Sequence, residues 1–182
     1  SARLSGVVAG AEYSLHFEGR DQFGNMGEGV TVLDLEDVGL SISPRSISLT
    51  DGSATGTFTS LTALPGNSVW GWIDGDLVGG TQAFDVHPAP TERMIAGSAV
   101  PWAYADDAFE VEVAFLDLYG NPTFDESHVV TVLANTVMYA DTEVAGRRSF
   151  LVPAGEAGSI EEVEVVSEVY GEQHVAVTVA ER

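Results

Sequence analysis

Carboxylates are the residues with the clearest chemistry in this chain. Asp74, Asp76 and Asp85 fall at positions 1, 3 and 12 of a stretch that has Gly79 at position 6, the spacing of an oxygen-ligand calcium loop. Val78 stands where a fifth-position ligand is needed and Asp85 replaces the usual glutamate, so a hairpin turn at Asp74-Gly75 is the stronger reading. A second set, Asp106 and Asp107 with Asp85 or Asp21, has the hard oxygens for calcium at a module junction. Calcium is the one cofactor these residues leave open. Trp70 and Trp72 lie two apart on one strand and share a face. They form either a core pair or an exposed platform on which a sugar ring stacks.

Other chemistries lack their residues. His16, His87, His128 and His174 lie in four separate segments without the spacing of a zinc site. There is no cysteine and no lysine, which excludes thiolate ligands, disulfides, Schiff bases and the phosphate-binding lysine loop. No serine sits in a G-x-S-x-G elbow. Paired carboxylates for glycoside hydrolysis exist among 28 acids, but no concave scaffold is implied, and the chain reads as non-enzymatic.

Those 28 acids face seven arginines in 182 residues, a net charge of −21. Such a surface repels phosphate backbones and anionic lipid, which excludes nucleic acid and membrane surfaces as partners. No run of about 18 apolar residues is present for membrane insertion. The apolar fraction of 45% is enough to build folded cores.

The elements that must position these residues are strands. Tyr13, Leu15 and Phe17 alternate with Ser14, His16 and Glu18, and Phe109, Val111, Val113 and Phe115 repeat the pattern. Each run enters a turn: D-Q-F-G-N at residues 21–25 and D-L-Y-G-N at 117–121. Asp21, Gly24 and Asn25 match Asp117, Gly120 and Asn121 at an offset of 117 − 21 = 96 residues, so the chain contains one module twice. The glycines suit positive φ, and the Asp and Asn side chains suit bonds to nearby backbone N–H groups.

Seven strands are expected in the first module, starting with an edge strand over residues 2–8, with turns at 50–53 and 65–67 and the aromatic strand VWGWI at 69–73. His87-Pro88-Ala89-Pro90 marks the boundary, dividing the chain into 1–87 and 88–182. In the second module Val130-Thr131-Val132-Leu133 matches Val30-Thr31-Val32-Leu33 by letter, and Gly155-Glu156-Ala157 is aligned with Gly52-Ser53-Ala54. The glutamates on alternate positions of EEVEVVSE at 161–168 are expected to face water. Val175, Val177 and Val179 are set against VWGWI, which leaves the second module without its last strand and with an open edge beside Val177. Trp102, beside Pro101 and Tyr104, is a candidate contact between modules.

The paired D-x-[FY]-G-N turns, with the later Gly52-Ser53-Ala54 and VWGWI, resemble bacterial immunoglobulin-like repeats of the invasin and intimin type. That resemblance implies an all-β chain of two tandem immunoglobulin-like β-sandwiches, a spacer or adhesive segment of an extracellular or cell-surface protein. Its partners would be other domains of the same protein, neighbouring subunits, or a glycan. Two other classes fit the same residues: a calcium- or carbohydrate-binding accessory module of a secreted enzyme, and a structural subunit of a virion or surface layer.

Overall fold

A computed structural model describes residues 6–124 and 126–182. Residues 2–5 of the expected first strand lie outside the described residues, as does Asp125. The all-β architecture expected from the alternating sequence is the one the chain adopts; among the described residues every regular element is a strand. The chain divides into two compact units, 1–89 and 90–182.

The first unit contains β1 (Val7–Val8), β2 (Glu12–Glu18), β3 (Val30–Asp37), β4 (Ser46–Thr50), β5 (Ser53–Thr59), β6 (Leu64–Asn67), β7 (Val69–Ile73), β8 (Asp76–Gly80) and β9 (Phe84–His87). They form sheets ordered β1-β9-β6 and β2-β5-β4-β3-β7-β8. In the larger sheet β4 and β5 meet at the single pair Thr50 and Ser53, so the sheet folds over there and closes on its own apolar face. Tyr13, Leu15 and Phe58 from one side meet Leu33, Leu35, Val69, Phe84 and Val86 in the core. Asp37 draws the loop after β3 inward, its carboxylate accepting the N–H groups of Leu40 at 2.6 Å, Ser41 at 3.1 Å and Ile42 at 3.0 Å. Leu40 and Ile42 are buried as a result.

The described part of this unit has nine strands where seven are expected. The additional two are β6 and β8. Pro65 reads as a turn residue, yet β6 is the outer strand of its sheet and pairs only with β9, so the missing proline N–H leaves no ladder bond unmade. β8 forms because Asp74 (φ 51°) and Gly75 (φ 87°) make a two-residue turn with both central residues left-handed, the geometry that suits a twisted hairpin.

The second unit contains β10 (Thr91–Ser98), β11 (Trp102–Tyr104), β12 (Ala108–Asp117), β13 (Ser127–Ala134), β14 (Val137–Ala145), β15 (Arg147–Pro153), β16 (Ile160–Ser167) and β17 (Gly171–Ala180). Its sheets are β10-β12-β15 and β11-β17-β16-β13-β14. Phe109, Val111, Val113 and Phe115 of β12 pack against Val130, Val132, Val163, Val165 and Val177 of the facing sheet, with Met94 of β10 at one side.

Four expectations for this unit are corrected. The edge beside Val177 is closed: β17 has β16 on one side and β11, running parallel, on the other, with Ala103 opposite Val179. β16 pairs with β13 as β7 pairs with β3, so the counterpart of VWGWI is β16, and β17 is the closing strand itself. Gly52, which turns the chain into β5, has its counterpart in Gly146 before β15, both at positive φ, whereas Gly155 lies after β15. The letter match of 130–133 with 30–33 is out of phase, because Val130 and Val132 are buried while Val30 and Val32 are exposed; a strand's faces exchange with a shift of one residue. The alternation of β16 is kept: Glu162 faces solvent, and Glu161, on the opposite face, is buried. The Glu161 carboxylate accepts hydrogen bonds from the Asn135 side chain, the Gly155 N–H at 3.1 Å and the Ser159 hydroxyl at 3.4 Å, which compensate its loss of water.

Candidate functional site

The paired turns are the same hydrogen-bond network built twice. In the first, Asp21 Oδ1 accepts the N–H groups of Phe23 (2.8 Å) and Asn25 (2.9 Å), and Asn25 Nδ2 donates to Asp21 Oδ2 at 2.9 Å. In the second, Asp117 Oδ1 accepts from Tyr119 (2.9 Å) and Asn121 (2.8 Å), and Asn121 Nδ2 donates to Asp117 Oδ2 at 2.8 Å. Gly24 and Gly120 both hold φ 89°. The identity extends outward, since Arg20 bridges Met26 as Leu116 bridges Pro122. The Asn25 side chain and backbone hold the Asp21 carboxyl below its ordinary value of 3.8. What separates the two turns is solvent: Asp21 and Asn25 are exposed, Asp117 and Asn121 buried.

Trp70 and Trp72 point away from the core, because Val69 and Gly71 take the inward positions of β7. Trp70 is 41% exposed. It lies along β8, where a Cβ at Gly80 would come within 2.7 Å of its ring. Trp72 is half-buried, and its Nε1 is enclosed without a hydrogen-bond partner. On the neighbouring strand Glu36 is opposite Trp70 and Asp34 opposite Trp72. The face thus joins aromatic surface to exposed carboxylates, which can stack on a sugar ring and accept its hydroxyls.

The acids singled out for calcium are dispersed. Asp74 is in the β7–β8 turn and Asp76 begins β8, while Asp85 lies on β9 and accepts the Gly66 N–H at 2.7 Å. Asp107 accepts the Arg182 guanidinium at 3.1 and 3.2 Å, and Asp106 sits in a turn at φ 66°. Among the described residues no three histidine, aspartate or glutamate side chains gather as a metal site. Trp102 and Tyr104 stand edge to face at 4.9 Å on β11.

One polar cluster has no signature in the sequence. At the start of β10, the Thr91 hydroxyl is 2.6 Å from that of Thr123 and 3.2 Å from His128 Nε2. The Thr91 N–H donates to Glu126 at 3.1 Å, and the Tyr170 hydroxyl donates to the Thr91 carbonyl at 3.2 Å. The His128 ring packs tilted against Phe115 at 4.6 Å and edge-on to Tyr170 at 5.0 Å, and Phe115 and Tyr170 also meet at 5.5 Å. Hydrogen bonds from the Thr91 side chain and backbone lower the Glu126 carboxyl, against burial and with help from His128. These partners are separated by 32, 35, 37 and 79 residues, so no local spacing announces them. The cluster fastens the end of β10 to the loop before β13. His16 is used locally, meeting Thr55 at 2.9 Å and Glu18 at 3.4 Å, and His174 pairs with Glu172.

No family model and no curated protein sequence matches the chain. Among solved structures it is similar to a glycosyl hydrolase family 2 member from Bacteroides cellulosilyticus, at 10% identity and a TM-score of 0.50, over 83% of this chain and 22% of that one. It is also similar to the adhesin InvE of Yersinia pseudotuberculosis, at 15% identity and 0.45, over 95% of this chain and 56% of that one. The adhesin FdeC of Escherichia coli aligns at 18% identity and 0.43, over 96% of this chain and 61% of that one. The chain spans about a fifth of the hydrolase and less than two thirds of either adhesin, and the likeness to the hydrolase segment is one of fold alone.

Proposed function

We propose that the chain is a non-catalytic structural or adhesive segment of an extracellular or cell-surface protein. The observation that carries this reading is the repetition of one sandwich plan, down to the individual hydrogen bonds of its first turn. Only three residues, Pro88, Ala89 and Pro90, join β9 to β10. A unit connected in this way extends by simple repetition, as a spacer requires. The dense negative charge keeps such a segment soluble and repels anionic surfaces.

A second reading rests on the outward tryptophans. Trp70 beside Glu36 and Trp72 beside Asp34 suit glycan contact, which would make the first unit adhesive and the second its support. The test is to immobilise the whole chain and present polysaccharides and matrix proteins. A pure spacer shows no saturable binding. The glycan reading expects saturable binding that Trp70→Ala reduces at least tenfold while the folded signal is kept. Release of sugar fragments from any polysaccharide would overturn the non-catalytic reading.

A further inference from the structure

We propose that the outward face of β7 binds a glycan whose sugar units carry free, protonated amines, an inference that rests on the glycan-contact reading of Trp70 and names its ligand. The face belongs to β3, β7 and β8 and consists of described residues throughout. Trp70 lies opposite Gly80, and its six-membered ring covers the place a Gly80 Cβ would take, at 2.7 and 3.1 Å. One side of the indole is seated on glycine while 41% of the residue stays in solvent, the form of a flat apolar platform. Trp72 takes the next outward position, opposite Leu77, and is half-buried. Folding does not ask for these tryptophans. In the second unit β16 pairs with β13 as β7 pairs with β3, and its outward positions, alternating with buried Val163 and Val165, carry Glu162 and Glu164. Trp70 is not among the residues that make the first unit's core, so the aromatic surface calls for a reason outside packing.

The neighbouring polar groups choose the ligand. Glu36 is opposite Trp70 and Asp34 opposite Trp72, with Ser46 on the far side of Asp34. Successive outward residues of a strand are about 7 Å apart, so each tryptophan has its own exposed carboxylate alongside. Among the described residues neither carboxylate forms a hydrogen bond or an ion pair, although Arg45 is adjacent, its carbonyl accepting the Leu35 N–H at 2.8 Å. Ionised carboxylates accept hydrogen bonds and donate none. An ammonium group answers both features of the face, because it donates charge-assisted hydrogen bonds to carboxylates and is drawn to the indole by its quadrupole. Uronic and sulfated sugars are repelled by both acids and by a unit of 11 acids and three arginines, a net −8. An N-acetylated sugar can stack on Trp70 but brings no charge. A basic peptide brings the charge without the flat apolar face of a sugar ring, and the amino sugar unites the two.

The probes are three β-linked hexasaccharides, of glucosamine, N-acetylglucosamine and glucose, titrated into the whole chain at about pH 5.5, where amines are protonated and carboxylates ionised. The glucosamine hexamer should bind saturably, at least tenfold more tightly than either of the others, with a change in tryptophan fluorescence. Trp70→Ala should weaken it at least tenfold, and Gly80→Ala, which unseats the ring while keeping it, should weaken it as well. Asp34→Asn combined with Glu36→Gln should reduce it to the affinity of the glucose hexamer. Glu162→Gln combined with Glu164→Gln removes the same charge from the second unit and should change nothing, with melting curves confirming that each variant is folded. Equal losses from the two charge pairs, or hexalysine binding as tightly as the glucosamine hexamer, would show diffuse attraction to an acidic chain and overturn the proposal. Equal affinity for all three hexamers overturns the amine assignment and leaves the glycan reading standing. No saturable binding of any hexamer also overturns it, and the polysaccharide panel decides separately whether another sugar binds.

Discussion

Asp21 and Asp117 make the same bonds at nearly the same distances in opposite surroundings. One turn stands in water and the other is enclosed, and the cause is β10, whose Thr91 pairs with Asp117, whereas no described strand covers Asp21. The comparison separates two things that a turn motif combines, its geometry and its energetic weight. Geometry is local and recurs wherever Asp, Gly and Asn recur at this spacing. Energetic weight depends on whether water can replace the lost partner.

The largest expected difference comes from removing the carboxylate. Asp117→Ala leaves the buried Asn121 N–H and the partly buried Tyr119 N–H without that acceptor and should destabilise the second unit by about 3 kcal/mol. Asp21→Ala lets water in and should cost the first unit about 1 kcal/mol. Denaturant unfolding followed by tryptophan fluorescence checks this, with W102F isolating the first unit and W70F/W72F the second. Equal losses would break the comparison.

Glycine substitution sharpens it from the other side. A Cβ at Gly24 or at Gly120 meets nothing within 4 Å, so only the backbone conformation is strained. Gly24→Val and Gly120→Val should each cost about 1 to 2 kcal/mol, alike in both units despite the difference in burial. A much larger loss at Gly120 would mean that burial, and not φ alone, sets the cost.

Charge distinguishes the units more gently. The second holds 17 acids against four arginines, a net −13, and the first 11 acids against three arginines, a net −8. Screening over about 10 Å at 0.1 M salt relieves such repulsion. Melting temperatures should rise with sodium chloride in both units and more in the second. A flat response in both would show that self-repulsion is not limiting, and a rise with calcium beyond matched ionic strength would indicate a bound ion.

The smallest effect is expected in acid. Glu126, held below its ordinary 4.5 by Thr91, contributes stability that is complete above about pH 4.5 and is lost as pH falls through its lower folded value. Glu126→Gln should flatten that part of the second unit's acid profile. In the first unit Glu18, lowered chiefly by its hydrogen bond from Arg20, and Asp21, lowered chiefly by Asn25, act in the same direction, and their slope should be unaffected. Following each unit's unfolding from pH 6 to pH 3 with and without the substitution checks this.

Alternation and turn chemistry were legible in the residues themselves. Tyr13, Leu15 and Phe17 against Ser14, His16 and Glu18 declare a half-buried strand, and D-x-[FY]-G-N declares its turn, because a two-residue period and a left-handed glycine are local properties of the backbone. Duplication at 96 residues was legible for the same reason. Tertiary structure alone decided the outward face of Trp70 and Trp72, the edge position that accommodates Pro65, and the pairing of Gly52 with Gly146 where letters favoured Gly155. It decided the burial of Asp117 and the assembly of Thr91, Thr123, Glu126, His128 and Tyr170 from distant segments. Each of these depends on which strand lies beside which, and strand neighbours are chosen by the packing of whole sheets, a non-local sum that no short stretch of residues carries.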